Sequence, residues 1–152
     1  MVEGLICANG LAFSPDGTIL YHSDSRQDHV WAWDLDPRTG AIANRRVFAA
    51  NEPTEGRPDG ATVDADGYYW ICCVGAWRIA RIAPNGTVER VIGVPVQRPT
   101  ACTFGGPDLQ TLYVTTATFP LSETALAKQP LAGSLLALDV NVCGLPENRF
   151  AN

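Results

Sequence analysis

The apolar residues come in short runs punctuated by Gly, Pro, Asp and Asn, the rhythm of β-strands and tight turns. Two stretches are copies of each other. Asn9-Gly10-Leu11-Ala12-Phe13-Ser14-Pro15-Asp16-Gly17 aligns without gaps on Asp59-Gly60-Ala61-Thr62-Val63-Asp64-Ala65-Asp66-Gly67, an offset of 59 − 9 = 50. Each opens on a polar residue and Gly, carries a short apolar strand and closes on Asp-Gly. A second apolar run follows, Ile19-Leu20-Tyr21 or Tyr69-Trp70-Ile71. Asp-Gly between two such runs predicts a hairpin, because both residues tolerate the positive φ of a type I′ turn. Two more strands are predicted in each unit, over 29–33 and 46–49 in the first and over 78–82 and 88–92 in the second.

A looser third copy supplies strand candidates at 100–104, 111–115, 135–139 and 149–151. An insertion at 117–133 separates its second and third strands. Residues 122–129 tolerate a helix, but Pro120 and Pro130 limit it to one or two turns. Units of about 40–50 residues with four strands each are the signature of propeller blades. The predicted fold class is therefore all-β: three four-stranded antiparallel blades, near 5–50, 56–94 and 95–152, half of a six-bladed β-propeller. A β-sandwich with coincidental Asp-Gly hairpins is the alternative. Propellers close with about four to eight blades, and a shorter arc leaves sheet faces uncovered. Either the chain is part of a longer protein or it pairs with something, and two such arcs could complete one ring.

Composition narrows the function. The 152 residues are 46% hydrophobic and carry 11 Lys plus Arg against 16 Asp plus Glu, a net charge of −5, so no nucleic-acid partner is expected. No apolar run reaches the roughly 20 residues of a membrane span, and no leader precedes Met1-Val2-Glu3-Gly4. The expectation is a soluble, cytoplasmic protein without membrane partners. Cys7, Cys72, Cys73, Cys102 and Cys143 form no CxxC pair and read as small hydrophobes in a reducing compartment. Two histidines, His22 and His29, exclude multi-histidine zinc sites, and no nucleophile elbow, phosphate loop or dinucleotide fingerprint is present. Chemistry here has to use carboxylates, amides or a metal.

Inner strands of a propeller line its channel, so equivalent positions of successive blades converge near one mouth. Asn9, Asp59 and Thr100 are such a set: an amide oxygen, a carboxylate and a hydroxyl, the ligands of a hard cation. Zinc also accepts carboxylate oxygen. The alternative is that Asn9 and Asp59 merely cap turns. Trp31 and Trp33 share one strand face and are expected to pack between blades. His22 and Asp24 are expected to be solvated loop residues near the mouth.

Several of these segments resemble the senescence-marker protein/gluconolactonase family of regucalcin-like lactonases. Ala8-Asn9-Gly10-Leu11-Ala12-Phe13-Ser14-Pro15-Asp16-Gly17 is similar to its PNGLAFSPDG segment. Arg57-Pro58-Asp59-Gly60, with Val63-Asp64, Gly67 and Trp70, is similar to its PDG segment, and Phe104-Gly105-Gly106 with Leu112-Tyr113-Val114-Thr115 to its FGG…LYVT stretch. Gln129-Pro130-Leu131-Ala132-Gly133 and Gly144-Leu145-Pro146-Glu147 resemble its closing segments.

The resemblance implies a six-bladed propeller with one divalent metal on its axis, Ca²⁺ or Zn²⁺ with Mg²⁺ and Mn²⁺ as further candidates, and a sugar lactone as substrate. It implies that Asn9 and Asp59 are metal ligands and that Asp59 is also the general base. Metal-assisted ester hydrolysis would follow, the cation polarising the lactone carbonyl while Asp59 removes a proton from water. Met1 falls near the family's mid-chain, so the family's N-terminal half, with a Glu ligand and substrate-contacting Arg and Asn, has no counterpart; Glu3 lies in the wrong segment. The chain alone is therefore expected to bind metal weakly and turn over slowly, unless self-association or a separate N-terminal half completes the site. A non-catalytic binding or assembly module is the competing reading.

Overall fold

The structure is a computed structural model that describes residues 2–50 and 55–146. Three antiparallel sheets follow one another along the chain. The first contains β1 (Ala8–Phe13), β2 (Ile19–Asp24), β3 (Gln27–Leu35) and β4 (Ile42–Ala50), hydrogen-bonded in chain order. The second contains β5 (Arg57–Val63), β6 (Tyr69–Val74), β7 (Arg78–Ile82) and β8 (Val88–Gly93). The third joins β9 (Pro99–Gly105), β10 (Thr111–Thr116) and β11 (Leu136–Asp139). It has three strands among the described residues, and the fourth expected at 149–151 lies outside them. The insertion carries one helical turn, α1 (Glu123–Leu126), N-capped by Ser122. Strands β1, β5 and β9 lie side by side, as the inner strands of consecutive blades do, so the sheets succeed one another around an axis instead of facing as a sandwich.

The Asp-Gly hairpins form, but not as type I′ turns. Gly17 and Gly67 have φ of 69° and 83°, whereas Asp16 and Asp66 are absent from the positive-φ residues. Gly17 N–H donates to the Ser14 carbonyl and Gly67 N–H to that of Asp64, each closing a turn of four residues. In the first, Pro15 fixes φ near that of a type I turn, and only the following Gly has to be left-handed. Asp16 then caps its own turn, its Oδ1 accepting from Thr18 N–H and the Ser14 hydroxyl.

Strand alternation divides the core in two. One cluster, including Tyr21, Val30, Tyr69, Ile71 and Ile82, fills the gap between the first and second sheets. The other, including Trp70, Ile79, Phe104, Leu112 and Val114, fills the gap between the second and third. All six residues of β6 are buried because this central sheet is covered on both faces. Each large apolar side chain so enclosed contributes about 1.5–3 kcal/mol. The faces also reveal the repeat's true register. Tyr21 points to the following sheet, and its counterpart doing so in the next unit is Trp70, an offset of 49; the second hairpin is one residue shorter than the first.

Asp64 pins the central sheet. Its Oδ2 accepts from the Trp70 indole N–H and Arg81 Nε, both at 2.8 Å, and its Oδ1 from Asp66 and Tyr68 N–H. The Arg81 guanidinium also reaches Glu89 and lies 3.7 Å over the Tyr68 ring.

His22 and Asp24 are not solvated loop residues: they are 6% and 0% exposed. They end β2, where the chain folds back against residues 6–7. Asp24 accepts backbone N–H bonds from Ile6, Cys7 and Arg26. His22 stacks on Trp31 and Trp33, and the Arg45 guanidinium covers both indoles. This side of the first sheet faces away from the second, and among the described residues the tryptophans are covered from within their own blade. The same face leaves Leu11 60% and Phe13 46% exposed.

Candidate metal and catalytic site

The repeat brings two of its equivalent residues together. Asn9 stands in β1 and Asp59 in β5, fifty positions apart, and Asn9 Nδ2 donates to Asp59 Oδ1 at 2.5 Å. Both side chains are half-buried. Backbone irregularities make this meeting feasible: the β1–β2 register shifts between Asn9 and Ala12, and the β5–β6 register between Pro58 and Ala61, so each unit bulges at the site residue and its glycine. A bulge re-aims a side chain out of the pleat.

The glycines are required for different reasons. Gly10 has φ of 60°, and a Cβ there would lie 2.5 Å from both Ser23 Oγ and the Tyr69 hydroxyl. Tyr69 uses that space to donate to the Gly10 carbonyl at 2.7 Å, tying the second sheet to the first beneath the site. At Gly60 a Cβ would lie 2.6 Å from Ala101 Cβ and 2.8 Å from the Thr100 carbonyl, so β9 packs against the backbone that carries Asp59.

Ser25 completes the arrangement, a role that its place beside His22 and Asp24 in the sequence does not predict. Its hydroxyl accepts from Asn9 Nδ2 at 3.1 Å and donates to the Pro58 carbonyl at 2.7 Å, linking the two units beside Asp59. Nothing in its immediate sequence marks it, since it follows β2 and reaches the site only through the fold. Thr100 sits at the start of β9, but its hydroxyl shares a hydrogen bond with Thr115 at 2.8 Å. Arg98, just before β9, was passed over in the sequence; its positive charge acts on Asp59.

Burial pushes the Asp59 carboxyl above its ordinary value, against the opposing pull of the Asn9 amide, the Arg98 charge and the Gly60 N–H. The site therefore holds a carboxylate that is costly to ionise unless a cation joins it. Asn9 and Asp59 fit one side of a hard-cation shell, an amide and a carboxylate on adjoining inner strands. Among the described residues no group of three His, Cys, Asp or Glu side chains could hold a metal ion. Beside the site lies an open cavity of about 600 Å³, whose wall includes Asn9, Gly10, Gly60, Ala61 and Ala101.

The family model for the SMP-30/Gluconolactonase/LRE-like region matches residues 1–118. The chain belongs to that family. It is 40% identical over 153 aligned positions to the 6-deoxy-6-sulfogluconolactonase of Pseudomonas putida, covering 99% of this chain and 52% of that protein. It is 39% identical to regucalcin of Danio rerio, covering 91% of this chain and 48% of the relative. Among solved structures, the calcium-binding protein regucalcin from Agrobacterium tumefaciens superposes with a TM-score of 0.88 at 31% identity, covering 93% of this chain and 48% of that one. The chain thus spans about half the length of the curated relatives it matches, and its three sheets correspond to about half of a six-bladed propeller.

No helix among the described residues is long and apolar enough to cross a membrane. None of the five cysteines is in a disulfide; Cys72, Cys73 and Cys102 are buried, and burial pushes Cys73 up to about 11.

Proposed function

We propose that this chain supplies Asn9 and Asp59 as ligands, and Asp59 as general base, to a metal-dependent hydrolase of sugar lactones. The observation that carries the reading is the direct contact of the two side chains between successive copies of one folding unit. The relatives' names, sulfogluconolactonase and calcium-binding regucalcin, agree with it. Ca²⁺ is the first candidate and Zn²⁺ the second, with Mg²⁺ or Mn²⁺ next.

Asn9 donates its Nδ2 to Asp59 and Ser25; exchanging the amide's nitrogen and oxygen presents Oδ1 to a cation instead. A bound cation would polarise the lactone carbonyl and stabilise the developing oxyanion. Asp59 would take a proton from the attacking water. Before a cation binds, Ser25, held on the Pro58 carbonyl, keeps the Asn9 side chain beside Asp59 by accepting from its Nδ2.

Two protein oxygens are fewer than the roughly six to eight that Ca²⁺ takes, so the remaining ligands come from water, a second copy or an N-terminal half. The working location on this reading is the cytoplasm. Metal content of the purified protein and of Asp59→Ala, followed by acid release from a panel of aldonolactones, tests the proposal. Stoichiometric metal lost in the variant and lactone hydrolysis support it. Neither protein holding metal favours the binding or assembly module, the reading that the exposed Leu11 and Phe13 suit.

A further inference from the structure

We propose that a second copy of this chain closes the ring, the third sheet of each copy packing on the first sheet of the other, so that two Asn9–Asp59 pairs share one axial channel. The ring rests on the fold alone; the sharing of one cation rests on the metal reading above.

The support is a sheet-to-sheet contact that the chain makes twice and leaves half-made at each end. Three strand pairs occupy equivalent places: Phe13 with Leu20, Val63 with Tyr69 and Phe104 with Leu112, at inner-strand offsets of 63 − 13 = 50 and 104 − 63 = 41. The second and third pairs face back toward the preceding sheet. Alternation turns the neighbouring residues forward: Tyr21 in the first sheet, Trp70 in the second and Tyr113 in the third, paired with Ala12, Thr62 and Thr103. Within the chain each forward aromatic meets the backward pair of the next sheet. The Tyr21 ring lies 5.2 Å from that of Tyr69, and Trp70 lies 5.6 Å from Phe104, between centroids.

Each end of the arc carries one half of this contact. Val63 and Phe104 are buried, whereas their counterpart Phe13 is 46% exposed. Tyr21 and Trp70 are buried, whereas Tyr113 is half-exposed, its ring lying over Gly105 within 2.9 Å of where a Cβ would stand. Leu11, exposed, corresponds to the buried Cys102. The open cavity beside Asn9 runs onto the same outer face, where Leu11, Leu20, His22 and Ile42 form its wall.

A chain that carries both halves of one contact associates head to tail, into a ring where the rotation closes and a filament where it does not. Here it closes with two copies, because three sheets match 48% of the Agrobacterium regucalcin chain. A two-fold axis along the channel brings the second copy's Asn9 and Asp59 to the same mouth. Two amides and two carboxylates then surround one cation, nearer the roughly six to eight oxygens of Ca²⁺ than one chain supplies.

Sedimentation equilibrium of the full chain at micromolar concentrations tests the ring, alongside Phe13→Asp, Leu11→Asp and Tyr113→Asp, all at exposed or half-exposed positions and checked for folding by circular dichroism. Wild type should have twice the 16.3 kDa mass of one chain. Each substitution acts at both contacts and should raise the dimer dissociation constant about a hundredfold or more. Mixing Phe13→Asp with Tyr113→Asp restores one of the two contacts, so dimer should partly return. A monomeric wild type, assemblies larger than two chains, or a dimer broken from the first sheet but indifferent to Tyr113→Asp overturns the proposal. Calorimetry with Ca²⁺ should count one ion per two chains. One ion per chain overturns the shared site, and no binding strikes the metal reading alone, since the mass decides the ring.

Discussion

Gly60→Ala perturbs the axis without touching a site side chain. The added Cβ would lie 2.6 Å from Ala101 Cβ, 2.7 Å from Ala101 Cα and 2.8 Å from the Thr100 carbonyl, where ordinary contact begins at 3.4 Å. Two of the three neighbours are backbone, so no rotamer change relieves them, and β5 and β9 have to part by several tenths of an ångström. Overpacking of this kind costs about 1–3 kcal/mol. For a domain of this size that lowers Tm by about 2–4 °C per kcal/mol, hence by roughly 2–12 °C. Gly93→Ala is the control: it ends β8, nothing lies within 4 Å of the added Cβ, and its φ is not left-handed. Thermal unfolding followed by circular dichroism should show Gly60→Ala falling and Gly93→Ala unchanged or higher. A Gly60→Ala protein as stable as wild type would refute the close approach of the inner strands, and with it the placement of Asp59 beside β9.

Two further outcomes follow from the buried charges. Arg81→Met strips the main counter-ion from Asp64, and breaking a buried pair costs about 3–5 kcal/mol; chemical denaturation should show that loss, and Asp64→Leu/Arg81→Met should recover part of it. At Asp24, burial pushes the carboxyl up, but the N–H groups of Ile6, Arg26 and Cys7 and the Gln27 amide outweigh it and hold it below its ordinary value. A carboxyl lowered on folding stabilises above its ordinary range and loses that contribution as pH falls through the folded value. Asp24→Asn should therefore lower Tm at neutral pH, with the gap to wild type narrowing below about pH 4; a gap independent of pH would contradict the hydrogen-bond account.

The sequence showed the blades because each is a local pattern: apolar runs, Asp-Gly turns and a copy at a fixed distance. Asn9 and Asp59 were legible for the same reason, since equivalent residues of repeated units converge on an axis. What stayed hidden depends on contacts between units. Both turns leave only the Gly left-handed, whether Pro15 or Ala65 stands second, and the change of offset to 49 after the second hairpin shows only in which face each aromatic covers. His22 and Asp24 look polar and therefore solvated, yet neighbouring indoles and backbone N–H groups enclose them. Ser25 carries no repeat signature, and the match of Arg98 to Arg57 at the repeat spacing does not by itself mark a site residue. Only the fold brings Ser25 onto the Asn9 amide and Arg98 beside the strand that carries Asp59.

Cation binding by Asn9 and Asp59 together is the central proposal. Calorimetric titration of Ca²⁺, then Zn²⁺, into wild type, Asn9→Ala, Asp59→Ala and the double variant measures this directly. It should find binding in wild type that either single substitution weakens by more than the roughly 10–100-fold typical of outlying ligand partners, and a double variant little worse than Asp59→Ala alone. Affinity unchanged in Asp59→Ala, or no binding of either ion to wild type, would contradict it.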